Sequence, residues 1–337
     1  LRSIGKSRLL LLLLLSVIAN PLYALNIILT NDDSWHTNNI KMLKQQLTAA
    51  GHRVVMSAPC AQQSGKGGAF SLYRPIPVDN SQASNDDYCV GDTDSNKPHK
   101  DFVEGTPVLA AFYGIDVLAP RYWGKGPDLL ISGPNEGHNV GVGSNHSGTL
   151  AAAMISVSRG VPTLAVSGDS RSRSNPADGL KIAGLVLKVI QQLEATREQG
   201  EPLLPRYHGL SMNLPRDLDN HKGFKITQVG YRLSHHNELK FYESAVDSPR
   251  FMEGATAALL ASGRAENSDE ALRIATERYR GQNGLYLEPG DYGDDNPDSE
   301  GSAVEAGYIS ISPIEGNIQA SDAKKDYAAR RLKSLWK

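Results

Sequence analysis

Residues Leu25 to Asp33 read LNIILTNDD, a short, mostly apolar run that ends in an amide and two adjacent carboxylates. Such a run, with Ile and Leu at its centre, predicts a buried strand. Asn31 to Thr37 read as a polar turn. From Asn38 to Ala50 the apolar residues Ile40, Leu43 and Leu47 fall at helical spacing, and Gly51 is a suitable stop. Arg53 to Ser57 predicts a second strand. Strand, turn, helix and strand make a βαβ unit, which implies a parallel sheet.

The same alternation continues outward. Residues 61–101 are rich in Ser, Asn, Asp and Gly and read as a loop. Thr106 to Val117 predicts a helix with Pro107 in its first turn. Asp128 to Ile131 predicts a strand, 132–148 a glycine-rich turn, and Thr149 to Arg159 an alanine-rich helix. Thr163 to Val166 and Gly209 to Asn213 predict strands on either side of a helix over Leu180 to Leu193. The expected fold is α/β, a doubly wound, Rossmann-like and mostly parallel sheet. After Pro215 the pattern changes. Phe224 to Val229 and Tyr308 to Ile311 read as β segments, with a polar-faced helix over Ser268 to Tyr279 between them. The expected organisation is a leader over 1–24, a catalytic domain over 25–215, and a smaller, less regular region over 216–337.

The leader is predicted from Arg2, Lys6 and Arg8, which precede an apolar run from Leu9 to Ala19, then Pro21 and Ala24. That order is a secretory signal peptide's, and the run is shorter than the roughly 20 residues that span a bilayer. Export to the periplasm or medium is therefore expected, with no membrane attachment after cleavage near Ala24. In an oxidising compartment Cys60 and Cys89, the two cysteines of the chain, are expected to pair across one surface loop.

Composition excludes several classes. The 337 residues are 40% hydrophobic and 21% charged, as in a folded globular protein. With 35 basic against 37 acidic residues, nothing global favours a nucleic-acid duplex or an anionic membrane. The closing run of Lys324, Lys325, Arg330, Arg331, Lys333 and Lys337 reads as a solvated basic helix.

Chemistry is expected where open α/β sheets place ligands, at the carboxyl ends of the strands. Three polar turns follow predicted strands there: Asn31-Asp32-Asp33, a second containing Ser64 to Gly68, and a third over Ser132 to Asn139. Adjacent carboxylates repel, and a hard divalent cation between them is one solution. Ser64 and Asn135 are candidates for neutral oxygen ligands. The alternative is structural: Asp33 caps the helix near Asn38, or both carboxylates satisfy turn amides. Residues 143–149, GSNHSGT, open a helix whose free amides suit an anion. The stretch is neither a Walker A loop nor G-x-G-x-x-G, because Thr149 follows Gly148 directly and His146 takes the place of a glycine. Lys66 is a candidate cation for a phosphate pocket, and His138 and His146 read as solvated turn histidines or proton donors.

Taken together and in order, these motifs resemble the SurE family of stationary-phase survival nucleotidases. The matching stretches are Leu29 to Asp33, Ala58 to Gly65, Gly105-Thr106-Pro107, Pro127 to Asn139, Ser147-Gly148-Thr149, and Gly160 to Ser167. In the carboxyl half they are Asn213-Leu214-Pro215, Gly223 to Thr227 and Gly307 to Pro313. The resemblance implies a phosphomonoesterase acting on nucleoside 5′- and 3′-monophosphates with one divalent ion, Mg²⁺ or Mn²⁺. It implies metal ligands Asp32, Asp33, Ser64 and Asn135, with Asp32, Asp33 and Asn135 catalytic. Asn31, Lys66, Asn139, Ser147, Gly148 and Thr149 are the expected phosphate-binding residues. A homodimer or homotetramer built through the carboxyl-terminal region is also implied. Ser34, Lys66-Gly67-Gly68, Glu136 and His138 depart from the family pattern. Rival readings are a broad-specificity exported acid phosphatase, a non-catalytic metal–nucleotide binder, and a transferase of sugar nucleotides.

Overall fold

A computed structural model describes residues 24–94, 96–98, 100–233, 237–290 and 296–335, so nearly all of the expected leader lies outside the described residues. The strands are β1 (Asn26–Thr30), β2 (Arg53–Pro59), β3 (Val78–Asp79), β4 (Asp87–Val90), β5 (Leu129–Asn135), β6 (Thr163–Ser167), β7 (His208–Asn213), β8 (Phe224–Ile226), β9 (Asn237–Tyr242), β10 (Gly284–Pro289) and β11 (Ile309–Glu315). The helices are α1 (Asn38–Ala49), α2 (Pro107–Tyr113), α3 (Ala119–Trp123), α4 (Gly148–Ser158), α5 (Pro176–Thr196), α6 (Pro249–Ala261), α7 (Ser268–Tyr279), α8 (Glu300–Glu305) and α9 (Asp322–Arg331).

Nine strands form one sheet in the order β3-β4-β2-β1-β5-β6-β7-β11-β8. From β4 to β7 neighbouring strands are parallel, while β11 runs antiparallel to β7. Strand residues alternate between the two faces. Ile27 and Leu29 point into a cluster with Ile40, Leu43 and Leu47 of α1 and Ile182, Val186 and Ile190 of α5. Ile28 points the other way, to Ala111 of α2, Ile115, Leu118 and Ala152 of α4. Helices thus cover both faces, which is why β1 is wholly buried and reads as a continuous apolar run.

The structure corrects the sequence reading in several places. Residues 61–101 are not all loop: Tyr88, Cys89 and Val90 are buried in β4, which pairs parallel to β2. The helix expected to end at Val117 passes through a wide π turn at Gly114–Leu118 and resumes as α3. Gly114 packs where a Cβ would lie 2.6 Å from Ile28 Cγ2, so the helix approaches the sheet closely there. β5 runs on through Gly133 and Pro134 to Asn135, with its register shifting between Ser132 and Asn135. Sequence patterning did not disclose the hairpin of β9 and β10 or α6, which pack together with α7 as a satellite.

The large sheet also extends past residue 215. β8 and β11 complete it, and β11 pairs with β7 along Ser310↔Asn213 to Glu315↔His208. α9 is exposed along its length. No described helix is long and apolar enough to cross a membrane.

Candidate metal and phosphate site

β1, β5 and β6 lie side by side, so their carboxyl ends bring Asp32, Asp33 and Asn135 to one edge. All three side chains are buried, at 2%, 5% and 8% exposure. The Thr149 hydroxyl donates to Asp32 Oδ1 at 2.6 Å. Thr149 in turn accepts from Asn139 Nδ2 at 3.2 Å, and the same amide donates to Ser167 Oγ at 2.9 Å. Both Asn139 amide hydrogens are thereby engaged, so this residue aligns the Asp32 partner.

α4 begins against Asp32. Ser147 caps the helix by accepting from Leu150 N, and the Gly148 amide lies near enough to the Asp32 carboxylate to favour its charge. A Cβ on Gly148 would stand 2.7 Å from Asp32 Cβ and 2.8 Å from Pro107 Cγ. Gly148→Ala should therefore lower the melting temperature by the few degrees expected of an overpacked core and cut activity at least tenfold. A thermal melt beside an activity assay checks this, and an unperturbed variant would remove the close approach as a requirement. The turn before α4 is fixed from the carboxyl-terminal region: buried Glu300 accepts from the amides of Gly141 at 2.7 Å and Gly230 at 2.6 Å.

Asp33 Oδ2 accepts from the Glu136 amide at 2.7 Å. Gln62 Nε2 donates to Ser64 Oγ at 2.6 Å and reaches Asp33 Oδ1 at 3.4 Å, linking the second turn to the first. Gly67 packs beside the backbone of Asn145 and His146, so the second turn also meets the third. Asn135 Nδ2 donates to Gly137 O at 2.7 Å, while its Oδ1 is buried with no donor among the described residues.

Burial pushes the Asp32 carboxyl above its usual range, and the Thr149 hydroxyl and Gly148 amide offset this only in part. Asp33 is pushed up to about 7, first by burial and then by the adjacent Asp32 charge. An unfolded Asp titrates near 3.9, so the folded chain holds the extra proton between about pH 4 and 7. Stability from this group is then full below about pH 4 and falls as pH rises toward 7. Wild type minus Asp33→Asn, compared as melting temperature without metal, should become more negative from pH 5 to 7.5. A pH-independent difference would contradict this.

The donor set fits a hard divalent ion. Two carboxylates, an unpaired amide oxygen and a hydroxyl are all oxygen ligands of the kind Mg²⁺ and Mn²⁺ take. Among the described residues no group of three or more His, Cys, Asp or Glu could hold a metal, so an ion here depends on the neutral oxygens of Asn135 and Ser64.

The remaining candidates make contacts of their own. Asn31 Nδ2 donates to Ser34 O at 2.9 Å and organises its own turn. Lys66 is exposed and paired with Glu104 at 2.8 Å. His138 Nε2 lies 2.7 Å from Leu214 O, and His146 is exposed. Gln62 and the contact between Glu136 and Asp33 carried no sequence signal, because both depend on chain segments far apart in sequence. The expected pairing of Cys60 and Cys89 is present and ties the end of β2 to β4, just before the Ser64 turn.

Comparison with known proteins agrees with this geometry. The family model described as Survival protein SurE matches residues 27–236. The acid phosphatase of Yarrowia lipolytica is 34% identical over 216 residues, which cover 59% of this chain and 59% of that protein. The 5′-nucleotidase SurE of Ehrlichia chaffeensis is 31% identical over 263 residues, covering 76% of this chain and 89% of its own length. The crystal structure of the SurE protein from Aquifex aeolicus superposes with a TM-score of 0.63 over 91% of this chain and 99% of that one, at 22% identity, a likeness of fold. With the strand ending in paired aspartates, the glycine-bounded α4 and the sheet order all in place, the chain belongs to the SurE family.

Proposed function

We propose that this SurE-family phosphomonoesterase hydrolyses nucleoside 5′- and 3′-monophosphates to nucleoside and phosphate, with one Mg²⁺ or Mn²⁺ held by Asp32, Asp33, Ser64 and Asn135. The carrying observation is the buried pair Asp32 and Asp33 beside Asn135, whose buried Oδ1 has no donor among the described residues. The relatives named 5′-nucleotidase SurE support the substrate class.

A bound divalent ion supplies positive charge for the phosphoryl oxygens and lowers the pKa of water. The protein's part is positioning. The Thr149 hydroxyl holds Asp32 in one orientation, and the Glu136 amide does the same for Asp33. Ser147 and the first turn of α4 border the space in front of Asp32, where non-bridging phosphate oxygens are to be held.

A broader acid phosphatase is the second reading, favoured by the name of the Yarrowia lipolytica relative. Export is supported by the disulfide, and self-association by the exposed hairpin residues Phe241, Leu285 and Leu287. Phosphate release from residues 25–337 tests the proposal. The panel is nucleoside 5′- and 3′-monophosphates and p-nitrophenyl phosphate, with Mn²⁺, Mg²⁺ or EDTA. Metal-dependent release from nucleotides is expected, equal rates on all esters would favour the acid phosphatase, and none with any metal would refute both.

A further inference from the structure

Glu136 stands where this chain departs from the family pattern, and its carboxylate does something specific. It is buried, with its side chain 4% exposed, on the residue whose amide holds Asp33. Its Oε2 accepts from Arg173 Nε at 2.8 Å. Arg173 itself is 62% exposed. As a stabilising pair this is a poor arrangement: a third carboxylate is buried beside two others, and its partner is largely in water. As a device for aiming a guanidinium it is a good one. The grip on Nε leaves the Nη1–Nη2 edge, which has no acceptor among the described residues, turned outward as a two-pronged donor.

The turn that carries Arg173 is fixed as well. It leaves β6 directly beside Asn135, with the Gly168 amide donating to Asn135 O at 2.9 Å. Asp169 caps the turn by accepting from Arg171 N, and buried Ser172 accepts from Asn39 Nδ2 of α1 at 2.9 Å. The neighbouring Arg171 is consumed by structure, with Nε on Asp169 and Nη2 on the Arg216 carbonyl. Arg171 is thus held on both its Nε and Nη2 sides, whereas Arg173 keeps both Nη groups without an acceptor among the described residues. Arg173 sits beside Glu136, whose amide holds Asp33, and is far more exposed than the buried carboxylates.

We propose that Arg173 is a specificity residue that binds a second phosphate of the substrate, so that esters carrying two phosphates are preferred to monophosphates. This rests on the phosphomonoesterase reading above. One phosphate lies at Asp32 and Asp33 for hydrolysis, and the other meets the Arg173 fork at the rim. Nucleosides phosphorylated at both the 3′ and 5′ positions have this form, since each phosphate is a monoester and the sugar separates them.

The experiment measures kcat/KM for a nucleoside 3′,5′-bisphosphate and for the matching 5′-monophosphate in wild type, Arg173→Gln and Arg173→Lys. Mn²⁺-dependent equilibrium binding of both compounds is measured in parallel. Wild type is expected to favour the bisphosphate at least about tenfold, the ratio one charge-assisted hydrogen bond supplies, mainly through KM. Arg173→Gln should bring that ratio to about one, and Arg173→Lys should leave it in between because lysine keeps the charge without the fork. A wild-type ratio near one, or a ratio that survives in Arg173→Gln, overturns the proposal. If neither compound releases phosphate, the phosphomonoesterase reading fails by itself, and the ratio of binding constants decides the role of Arg173 by the same criteria.

Discussion

Asp32→Asn is expected to lower kcat/KM for metal-dependent phosphate release by about 10³-fold or more, beyond the 10–100-fold of an outer-shell partner. The same variant should melt at a higher temperature than wild type when both are free of metal. Two features give these opposite signs. Asp32 is buried, and its charge is disfavoured there by desolvation. Asparagine has nearly the same shape, keeps an oxygen for the Thr149 hydroxyl, and removes the charge. The fold therefore gains what the site loses. Calorimetric titration with Mn²⁺ and a thermal melt read the two effects separately. A variant that binds Mn²⁺ and turns over normally would show that Asp32 is not a ligand. A variant that loses activity and melts lower would show that the carboxylate is structural, as the helix-capping alternative holds.

Opening the Cys60–Cys89 bond is expected to be the largest single loss of stability. The two cysteines are 29 residues apart, and closing a loop of that length in the unfolded chain contributes roughly 3–4 kcal/mol on the chain-entropy account. For a chain of this size the melting temperature should fall on the order of 10 °C. Cys89 is buried in β4 at the edge of the parallel sheet, so Cys89→Ala also leaves a small void. Reduction of the wild type avoids that and isolates the cross-link. The bond joins β2 to β4 immediately before Gln62 and Ser64, so weaker Mn²⁺ binding in the reduced protein should accompany the lower melting temperature. A melting temperature indifferent to reductant would mean that the sheet edge holds without the bond.

β1 and α1 were read nearly to the residue because their burial is set by local pattern: Ile27 and Leu29 on one face, Ile40, Leu43 and Leu47 on one stripe. β4 carries little signal in sequence, because only Tyr88, Cys89 and Val90 are apolar, and they become a strand by pairing with β2 rather than by their own preference. Asn135 was expected in a turn and lies at a strand end, because the pairing of β5 with β6 resumes beyond the irregular step at Gly133 and Pro134. Gly133 has φ 120° and packs where a Cβ would lie 2.2 Å from Val166 O, a close approach visible only once β6 is beside β5. β8 and β11 read as part of a separate region because the pattern changes after Pro215, and they belong to the main sheet by pairing.

Local patterning along the chain sets the α/β class, the order of the parallel strands' chain segments, and the residues that cluster at their carboxyl ends. Those properties follow from short-range periodicity, from the direction of the chain, and from the chemistry of adjacent carboxylates and small polar residues. Only the tertiary structure decided which donor serves which acceptor. Thr149 turned out to hold Asp32, Asn139 to hold Thr149, Lys66 to pair with Glu104, and Glu136 to join Asp33 to Arg173. Each of these pairs spans 10 to 117 positions along the chain. A hydrogen bond or ion pair is decided within a few tenths of an ångström, and contacts over such separations are set by how the layers pack rather than by any local pattern.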